Sequence, residues 1–269
     1  MRISITHATG YTYDKPVKLG LQELRMTPKS RAGQVILRWN VSIEGGQIEA
    51  RFDDHNNNSV ILVGVHEGVE AIQIVCEGEV ETPDDAAGVV GQHGGFAPIW
   101  YFERETPATA PGLAIEALAK EVAEIAPDGT ALDRMHALMH LIADRVAYRT
   151  GTTKAGDTGE AALVAGEGVC QDHAHIFIAA ARSMALPARY VSGYLLLDDR
   201  VEQDAGHAWA EAFLPHLGWV GFDPSNRTCP DARYIRVATG LDYKEAAPIS
   251  GLVRGTETEA LSVDIRVEQ

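Results

Sequence analysis

The chain has 269 residues, and its 45% hydrophobic and 23% charged residues are typical of a globular protein, which excludes a disordered or fibrous chain. Its 23 basic and 38 acidic residues give a formal net charge of -15. That charge repels a phosphate backbone, so we expect no nucleic-acid partner. No segment is apolar enough and long enough to be a signal peptide or to span a bilayer, so we expect a cytoplasmic protein without membrane contact.

The first part of the chain, residues 1–82, predicts an antiparallel β domain. In "QVILRWNVSI" every second residue is apolar, which is the period of a strand with one buried face. Similar short runs are separated by Gly, Pro and Asn turn signals, and "DDHNNNS" is the clearest hairpin loop. Residues 83–111 are rich in Pro and Gly, and we interpret them as a connecting segment that packs against one or both domains.

Residues 112–250 predict a second domain that mixes helices and strands. "PGLAIEALAKEVAEIA" is typical of a helix, and a second helix starts at Thr130, whose hydroxyl can cap it together with Asp133. A Gly- and Thr-rich loop, "YRTGTTKAGDTGEAA", leads to a third helix. Three strand-like segments follow, "ARYVSGYLLL", "GHAWAEAFL" and "GWVGFDP". In residues 251–269, alternating apolar residues predict a C-terminal strand that joins one of the sheets.

Cys170 stands at the predicted start of the third helix, which runs to about Ala185. The unpaired N–H groups at a helix start favour the thiolate, which is the nucleophilic form of cysteine. Gly166 and Gly168 in front of it allow a ligand to approach the backbone closely. A cysteine taken singly is more often a small buried hydrophobe, so packing is the alternative that the neighbouring residues must overturn.

Two further residues give Cys170 possible catalytic partners. His207 opens the strand "GHAWAEAFL", where a general base can be held rigidly and still reach a neighbouring helix end. Asp223 ends "GWVGFD" before Pro224, which fixes the backbone. A structural histidine and a turn aspartate are the simple alternatives. Together the three residues could form a nucleophile, base and orienting acid that attack an amide carbonyl.

The run "GVCQDHAHIFIAAARSMALPARYVSGYL", with "HAWAEAFLPHLGWVGFDPSN" and "YIRVATGLDY", resembles the core of the bacterial transglutaminase-like superfamily over roughly residues 131–255. The first eighty or so residues resemble the β-rich N-terminal region of a bacterial branch. The resemblance implies an α+β, papain-like fold in which a central helix bearing the cysteine packs on an antiparallel sheet, preceded by an antiparallel β domain. It assigns the catalytic triad to Cys170, His207 and Asp223. One departure is His173, where relatives commonly carry an aromatic residue such as Phe.

Other ligand-capable residues give weaker indications. His173 and His175 follow Cys170, but about 200° of helix rotation separates them, so both cannot join the sulfur in one tetrahedral metal site. His136 and His140 have the spacing of a zinc-protease helix but lack the Glu after the first histidine. The three cysteines form no C-x-x-C pair, and "GVVGQHGG" matches no phosphate or dinucleotide motif. We expect no metal and no cofactor.

We therefore predict a thiol enzyme that acts on an amide of a protein or peptide substrate, either a peptide or isopeptide bond or a glutamine side chain. Hydrolysis, as by a cysteine peptidase or amidase, is preferred, because nothing in the sequence indicates the closed tunnel that excludes water from an acyl-enzyme. Transfer to an amine, as by a protein-glutamine gamma-glutamyltransferase, is the alternative. A non-catalytic peptide- or partner-binding module is the alternative from another class. The sequence predicts no oligomeric state.

Overall fold

The computed structural model describes residues 1–92, 94–153 and 156–269. His93 of "GVVGQHGG" and residues 154 and 155 of the predicted Gly- and Thr-rich loop lie outside the described residues. The first part of the chain is made of strands, as its alternating pattern predicts. They are β1 (Arg2–Tyr13), β2 (Leu19–Thr27), β3 (Val35–Glu44), β4 (Gly46–Asp53), β5 (Ser59–Val65) and β6 (Ala71–Glu81).

The rest of the chain contains both helices and strands. In order they are β7 (Val89–Gly91), a 3₁₀ helix (Ile99–Glu103), α1 (Leu113–Ile125), α2 (Ala131–Arg145), β8 (Ala147–Tyr148), α3 (Gly159–Ala165), β9 (Glu167–Gly168), α4 (Cys170–Ser183), β10 (Ala188–Leu195), β11 (Glu202–Gln203), β12 (His207–Leu214), β13 (Gly218–Phe222), β14 (Tyr234–Gly240), α5 (Tyr243–Ala246), β15 (Ile249–Arg254) and β16 (Glu259–Glu268). Within the described part of the chain, no helix is long and apolar enough to cross a membrane.

The strands form three antiparallel sheets and one short parallel pair, β8 with β9. Two sheets belong to the β region, with strand orders β11-β16-β1-β6-β3 and β15-β2-β5-β4, and the third has the order β14-β10-β12-β13-β7. The predicted C-terminal segment, residues 251–269, contains most of β15 and all of β16, and β16 pairs along β1. Both ends of the chain therefore build the β region. The α+β class, with an antiparallel β region and a helix-bearing core, is confirmed.

Helix α4 lies at the centre of the core, and all its residues from Asp172 to Arg182 are buried. It packs on the face of β12 that carries only small side chains, Ala208, Ala210 and Ala212. These alanines let the helix approach the sheet closely, as the alternation along the strand predicts. The position of Cys170 is thus fixed by the packing of the whole helix.

Part of the predicted Gly- and Thr-rich loop is the short helix α3, which the sequence analysis missed. Thr158 caps it, since its hydroxyl accepts a hydrogen bond from the Ala161 backbone N–H at 3.1 Å. The helix begins with Gly159, where a Cβ would lie only 2.9 Å from the backbone nitrogen of Ile176 in α4. A helix of this length depends on such tertiary contacts, which local propensity does not show.

The β region and the core are joined at β14, which is the edge strand of the core sheet. The side-chain amides of Gln34 and Asn58 hydrogen-bond the backbone of β14 in the way that a neighbouring strand would. Gln34 donates to the Arg236 carbonyl and accepts from the Arg236 N–H, both at 2.9 Å. Asn58 donates to the Thr239 carbonyl at 2.7 Å and accepts from its N–H at 2.8 Å. The two amides satisfy backbone groups that an uncovered edge would leave unpaired.

Candidate active site

Cys170 is the first residue of α4, and Asp172 holds the turn that precedes it. The Asp172 oxygen Oδ2 accepts hydrogen bonds from the Val169 backbone N–H at 2.8 Å and from the Thr153 hydroxyl at 2.7 Å. A Cβ at Gly168 would lie 2.8 Å from the Asp172 side chain, so the turn passes closest where a glycine stands. The sulfur is therefore held at a helix N-terminus, where backbone N–H groups have no intrahelical partner. Cys170 is half-buried and is not sealed inside the core.

His207, the first residue of β12, lies between Cys170 and Asp223. Its Nε2 is 2.6 Å from Oδ2 of Asp223, and the ring lies close enough to Cys170 for the two side chains to interact electrostatically. The structure thus brings together the three residues singled out in the sequence. A sulfur, an imidazole and a carboxylate in this order form the arrangement that activates a thiol nucleophile.

The charge state of His207 follows from these contacts. Burial alone would lower the pKa of His207, whose side chain is 11% exposed. The hydrogen bond with Asp223, together with the negative charges of Asp223 and Cys170, outweighs burial and raises the pKa of His207 to about 10. The ring is therefore an imidazolium at neutral pH.

Asp223 directly follows β13 and is fully buried. Burial alone would raise the pKa of Asp223, but hydrogen bonds from His207, Asn226 and Tyr234 hold it below its ordinary value. The Asn226 amide donates to Oδ2 at 2.7 Å, and the Tyr234 hydroxyl donates to the same oxygen at 2.8 Å. The Ser225 backbone N–H donates to Oδ1 at 2.9 Å. The carboxylate stays ionised and is fixed in the orientation that faces the histidine.

Asn226 and Tyr234 belong to the site but were not predicted. Asn226 lies in the "DPSN" turn, and the habit of Asp and Asn to hydrogen-bond within turns is a signal that could have indicated it. Tyr234 comes from β14, which β10 separates from β12 in the sheet. Its contact with Asp223 depends on the strand order, which no local pattern in the sequence gives.

Tyr148 of β8 is a third residue that the sequence analysis missed. Burial and the negative charge of Cys170 raise the pKa of Tyr148 to about 12, and both residues line the same cavity. The hydroxyl is therefore protonated near neutral pH and is a hydrogen-bond donor in the neighbourhood of the sulfur. The stretch "VAYRTG" has no periodicity that would have singled out this tyrosine.

His173, the departure from the family pattern, is a neutral aromatic ring in this fold. Burial lowers the pKa of His173. Its Nε2 lies 2.9 Å from the Val146 carbonyl, to which it donates, and its Nδ1 accepts from the Ser225 hydroxyl at 2.9 Å. The ring stacks on Tyr148 with an interplanar angle of 20°. It thus provides the flat packing surface of an aromatic residue while it satisfies two polar groups.

The other histidines considered as metal ligands lie apart. His175 faces Tyr243, whose backbone N–H donates to its Nε2 at 3.2 Å, and burial lowers the pKa of His175 to about 4. The ring of His136 packs edge-on against Phe222, with centroids 5.5 Å apart. Among the residues that the structure describes, no three or more His, Cys, Asp and Glu side chains are grouped so that they could hold a metal ion.

A cavity of about 720 Å³ lies against Cys170 and His207. The core provides one wall, with Tyr148 and Tyr190 among its residues. The β region provides the facing wall, from strands β1, β2 and β16: His7, Thr9, Tyr11, Met26, Leu261 and Val263. The reactive side chains are therefore reached through a space that both parts of the chain enclose.

Comparisons with known proteins agree with this architecture. The profile of the transglutaminase-like superfamily matches residues 116–224, which include Cys170, His207 and Asp223. The profile of the bacterial transglutaminase-like N-terminal region matches residues 3–81. A crystal structure named "Putative Cysteine Protease from Cytophaga hutchinsonii" superposes with a TM-score of 0.77 at 20% sequence identity, and the match covers 100% of this chain and 90% of that one.

Relatives in mycobacteria match along nearly the whole length. An uncharacterized protein of Mycobacterium leprae is 28% identical over 275 residues, which cover 99% of this chain and 98% of that protein. An uncharacterized protein of Mycobacterium tuberculosis is 30% identical over 292 residues, which cover 99% of this chain and 92% of that protein. The chain therefore belongs to the transglutaminase-like superfamily, with the bacterial transglutaminase-like N-terminal region ahead of its core.

Proposed function

We propose that the protein is a thiol enzyme that hydrolyses an amide of a peptide or protein through a thioester on Cys170. The observation that carries this proposal is the position of the His207 ring, which hydrogen-bonds Asp223 and interacts electrostatically with Cys170. A structural histidine would need neither a buried carboxylate that raises its pKa nor a half-buried sulfur close by. The cytoplasmic location expected from the sequence stays a prediction.

The proposed reaction has two halves that share the same groups. The Cys170 thiolate attacks the carbonyl carbon, and the imidazolium of His207 gives its proton to the leaving nitrogen as the C–N bond breaks. The neutral ring then takes a proton from water, whose oxygen attacks the thioester carbon. The C–S bond breaks, the acid leaves, and the thiolate and imidazolium are restored. Asp223 holds the ring and remains ionised throughout.

Two donors suit the oxyanion that forms during each attack. The backbone N–H of Cys170 lies at the N-terminus of α4, where it has no partner within the helix. We assign the second donor to the Tyr148 hydroxyl, which belongs to a residue of the cavity that holds Cys170 and stays protonated. Hydrogen-bond donors placed in advance around a developing negative charge are the usual largest contribution to such catalysis.

Water is the preferred acceptor because the space at the sulfur is large. A cavity of about 720 Å³ leaves room for water beside a bound side chain or peptide. Transfer to an amine requires that water be excluded from the thioester, and the described walls do not close tightly around Cys170. Transfer to a primary amine, as in protein-glutamine gamma-glutamyltransferases, is the second reaction that the same triad supports.

The test combines turnover with capture of the intermediate. We expect purified protein to release ammonia or a new amine from a library of glutamine-containing peptides and to show an acyl-enzyme mass on Cys170. Cys170→Ala should remove both signals, whereas Cys229→Ser, which changes a half-buried thiol outside the triad, should keep them. Incorporation of a primary amine in excess of deamidation would replace hydrolysis by transfer. Peptide binding without turnover, retained in Cys170→Ser, would instead identify a binding module.

A further inference from the structure

A second cluster of charged side chains lies on the core sheet, away from the triad. Glu211 of β12 is fully buried. Its Oε2 accepts hydrogen bonds from Nε of Arg189 at 2.7 Å and from Nη2 of Arg236 at 2.8 Å. Nε of Arg236 lies 2.8 Å from the other carboxylate oxygen. One carboxylate therefore lies against two buried guanidinium groups.

Arg31, in the turn between β2 and β3, brings a third guanidinium to this cluster. Its Nε is buried and has no hydrogen-bond partner among the residues that the structure describes. Burial lowers the pKa of Arg31, and the charge of Glu211 opposes this only in part. Burying a cation without a hydrogen-bonded counterion is unfavourable. The Nε–H of Arg31 is therefore a donor that a bound anion could satisfy.

The three arginines line a common cavity of about 260 Å³. Lys29 lines it too, but its ammonium is held by Asp53 at 2.6 Å. Among the described residues, no Asp or Glu side chain lines the cavity. The space is thus positive and without an acidic group of its own, although the chain as a whole carries a net charge of -15.

Asn56 adds a hydrogen-bond acceptor to the donors that the arginines provide. It lines the same cavity, and its buried Oδ1 has no hydrogen-bond partner within the described part of the chain. The amide nitrogen donates to Glu245 at 3.2 Å, which fixes the orientation of the amide and keeps the oxygen as an acceptor. A ligand that fits the cavity must therefore accept hydrogen bonds from guanidinium groups and donate one to Asn56.

We propose that this cavity binds a small protonated oxyanion of the phosphate type. Hydrogen phosphate carries anionic oxygens for the Arg31, Arg189 and Arg236 guanidinium groups and a hydroxyl for Asn56, and planar guanidinium groups suit such oxygens. Arg31 and Asn56 belong to the β region, whereas Arg189 and Arg236 lie on β10 and β14 of the core. A bound anion would therefore tie the two parts of the chain together.

This site is separate from the cavity at Cys170. The two cavities share no lining residue among those described. Along β12, Glu211 lies four residues from His207, which is roughly 13 Å of strand. Anion binding does not require catalysis, so the inference holds or fails independently of the proposed function.

Isothermal titration calorimetry of the full-length protein with inorganic phosphate, at ionic strength matched with sodium chloride, tests the proposal. We expect saturable binding of one phosphate and a loss of affinity of about tenfold or more in Arg31→Gln, since a hydrogen bond to a charged group is removed. Arg51→Gln, which changes an exposed arginine on β4, is the matched control and should bind as the wild type does.

A second titration uses sulfate in place of phosphate, because sulfate at neutral pH has no proton to donate to Asn56. We expect it to bind more weakly than phosphate, and Asn56→Ala should reduce this difference. The absence of saturable phosphate binding, or equal affinity in Arg31→Gln and wild type, would overturn the site. Equal affinity for sulfate and phosphate would overturn the role given to Asn56.

Discussion

The pKa of His207 is the property through which the candidate triad is most accessible to measurement, and Asp223→Asn changes it with little change in shape. The pKa of about 10 lies well above the ordinary value of 6.5. The difference corresponds to roughly 5 kcal/mol, which the contacts with Asp223 and Cys170 share. If the charge of Asp223 accounts for about half of this elevation of the pKa, the pKa of His207 in Asp223→Asn should be lower by roughly 2 pH units.

Histidine NMR measures this directly. The resonance of the His207 ring, assigned with a His207→Gln variant, should show an imidazolium up to about pH 10 in the wild type and titrate roughly 2 pH units lower in Asp223→Asn. His7 and His175 serve as internal references, because burial lowers the pKa of each to about 4. Titration of His207 near 6.5 in the wild type, or an unchanged value in the variant, would refute the charged pair.

The same contacts predict how stability depends on pH. The pKa of His207 is higher in the folded than in the unfolded protein, so its contribution is complete below about 6.5 and disappears as the pH rises through about 10. Urea unfolding should therefore show that the stability advantage of the wild type over Asp223→Asn shrinks across this alkaline range. An advantage that grows between these pH values would contradict the assignment.

Three further variants test separate parts of the structure. Tyr148→Phe should lower kcat about 100-fold or more if the hydroxyl stabilises the oxyanion, with folding unchanged by circular dichroism. Gln34→Ala should cost about 1–3 kcal/mol in urea unfolding, because it leaves the N–H and carbonyl of Arg236 unpaired, and a cost near zero would contradict the edge-covering role. His173→Phe should keep the stacking on Tyr148 and retain turnover, and lost turnover in a folded variant would assign the imidazole a role in the reaction.

Much of the architecture was predictable because it follows short-range patterns. The alternation in "QVILRWNVSI" predicts β3, and the capping residues Thr130 and Asp133 predict the start of α2. The alanines opposite His207 on β12 predict which face meets α4. In each case one buried face repeats with the period of the element, so the sequence carries the signal directly.

The rest depends on contacts between distant parts of the chain. Helix α3 is short and relies on the close approach of Gly159 to α4. Tyr234 reaches Asp223 only because β14 lies two positions from β12 in the sheet. Similarly, the cavity wall from β1 and β16 exists only once both ends of the chain have paired. The grouping of Cys170, His207 and Asp223 was predictable because each of them stands in a family motif, whereas the residues that orient Asp223 were not.

Labelling with iodoacetamide near pH 6 distinguishes an activated Cys170 from an ordinary cysteine, because an unperturbed thiol is almost wholly protonated there. Burial raises the pKa of Cys76 to about 12 and also raises that of Cys229, so both should react slowly. The account predicts that mass spectrometry finds label on Cys170 first, and that His207→Ala removes this selectivity. Labelling of Cys170 no faster than the other two cysteines in the folded protein would contradict an activated nucleophile.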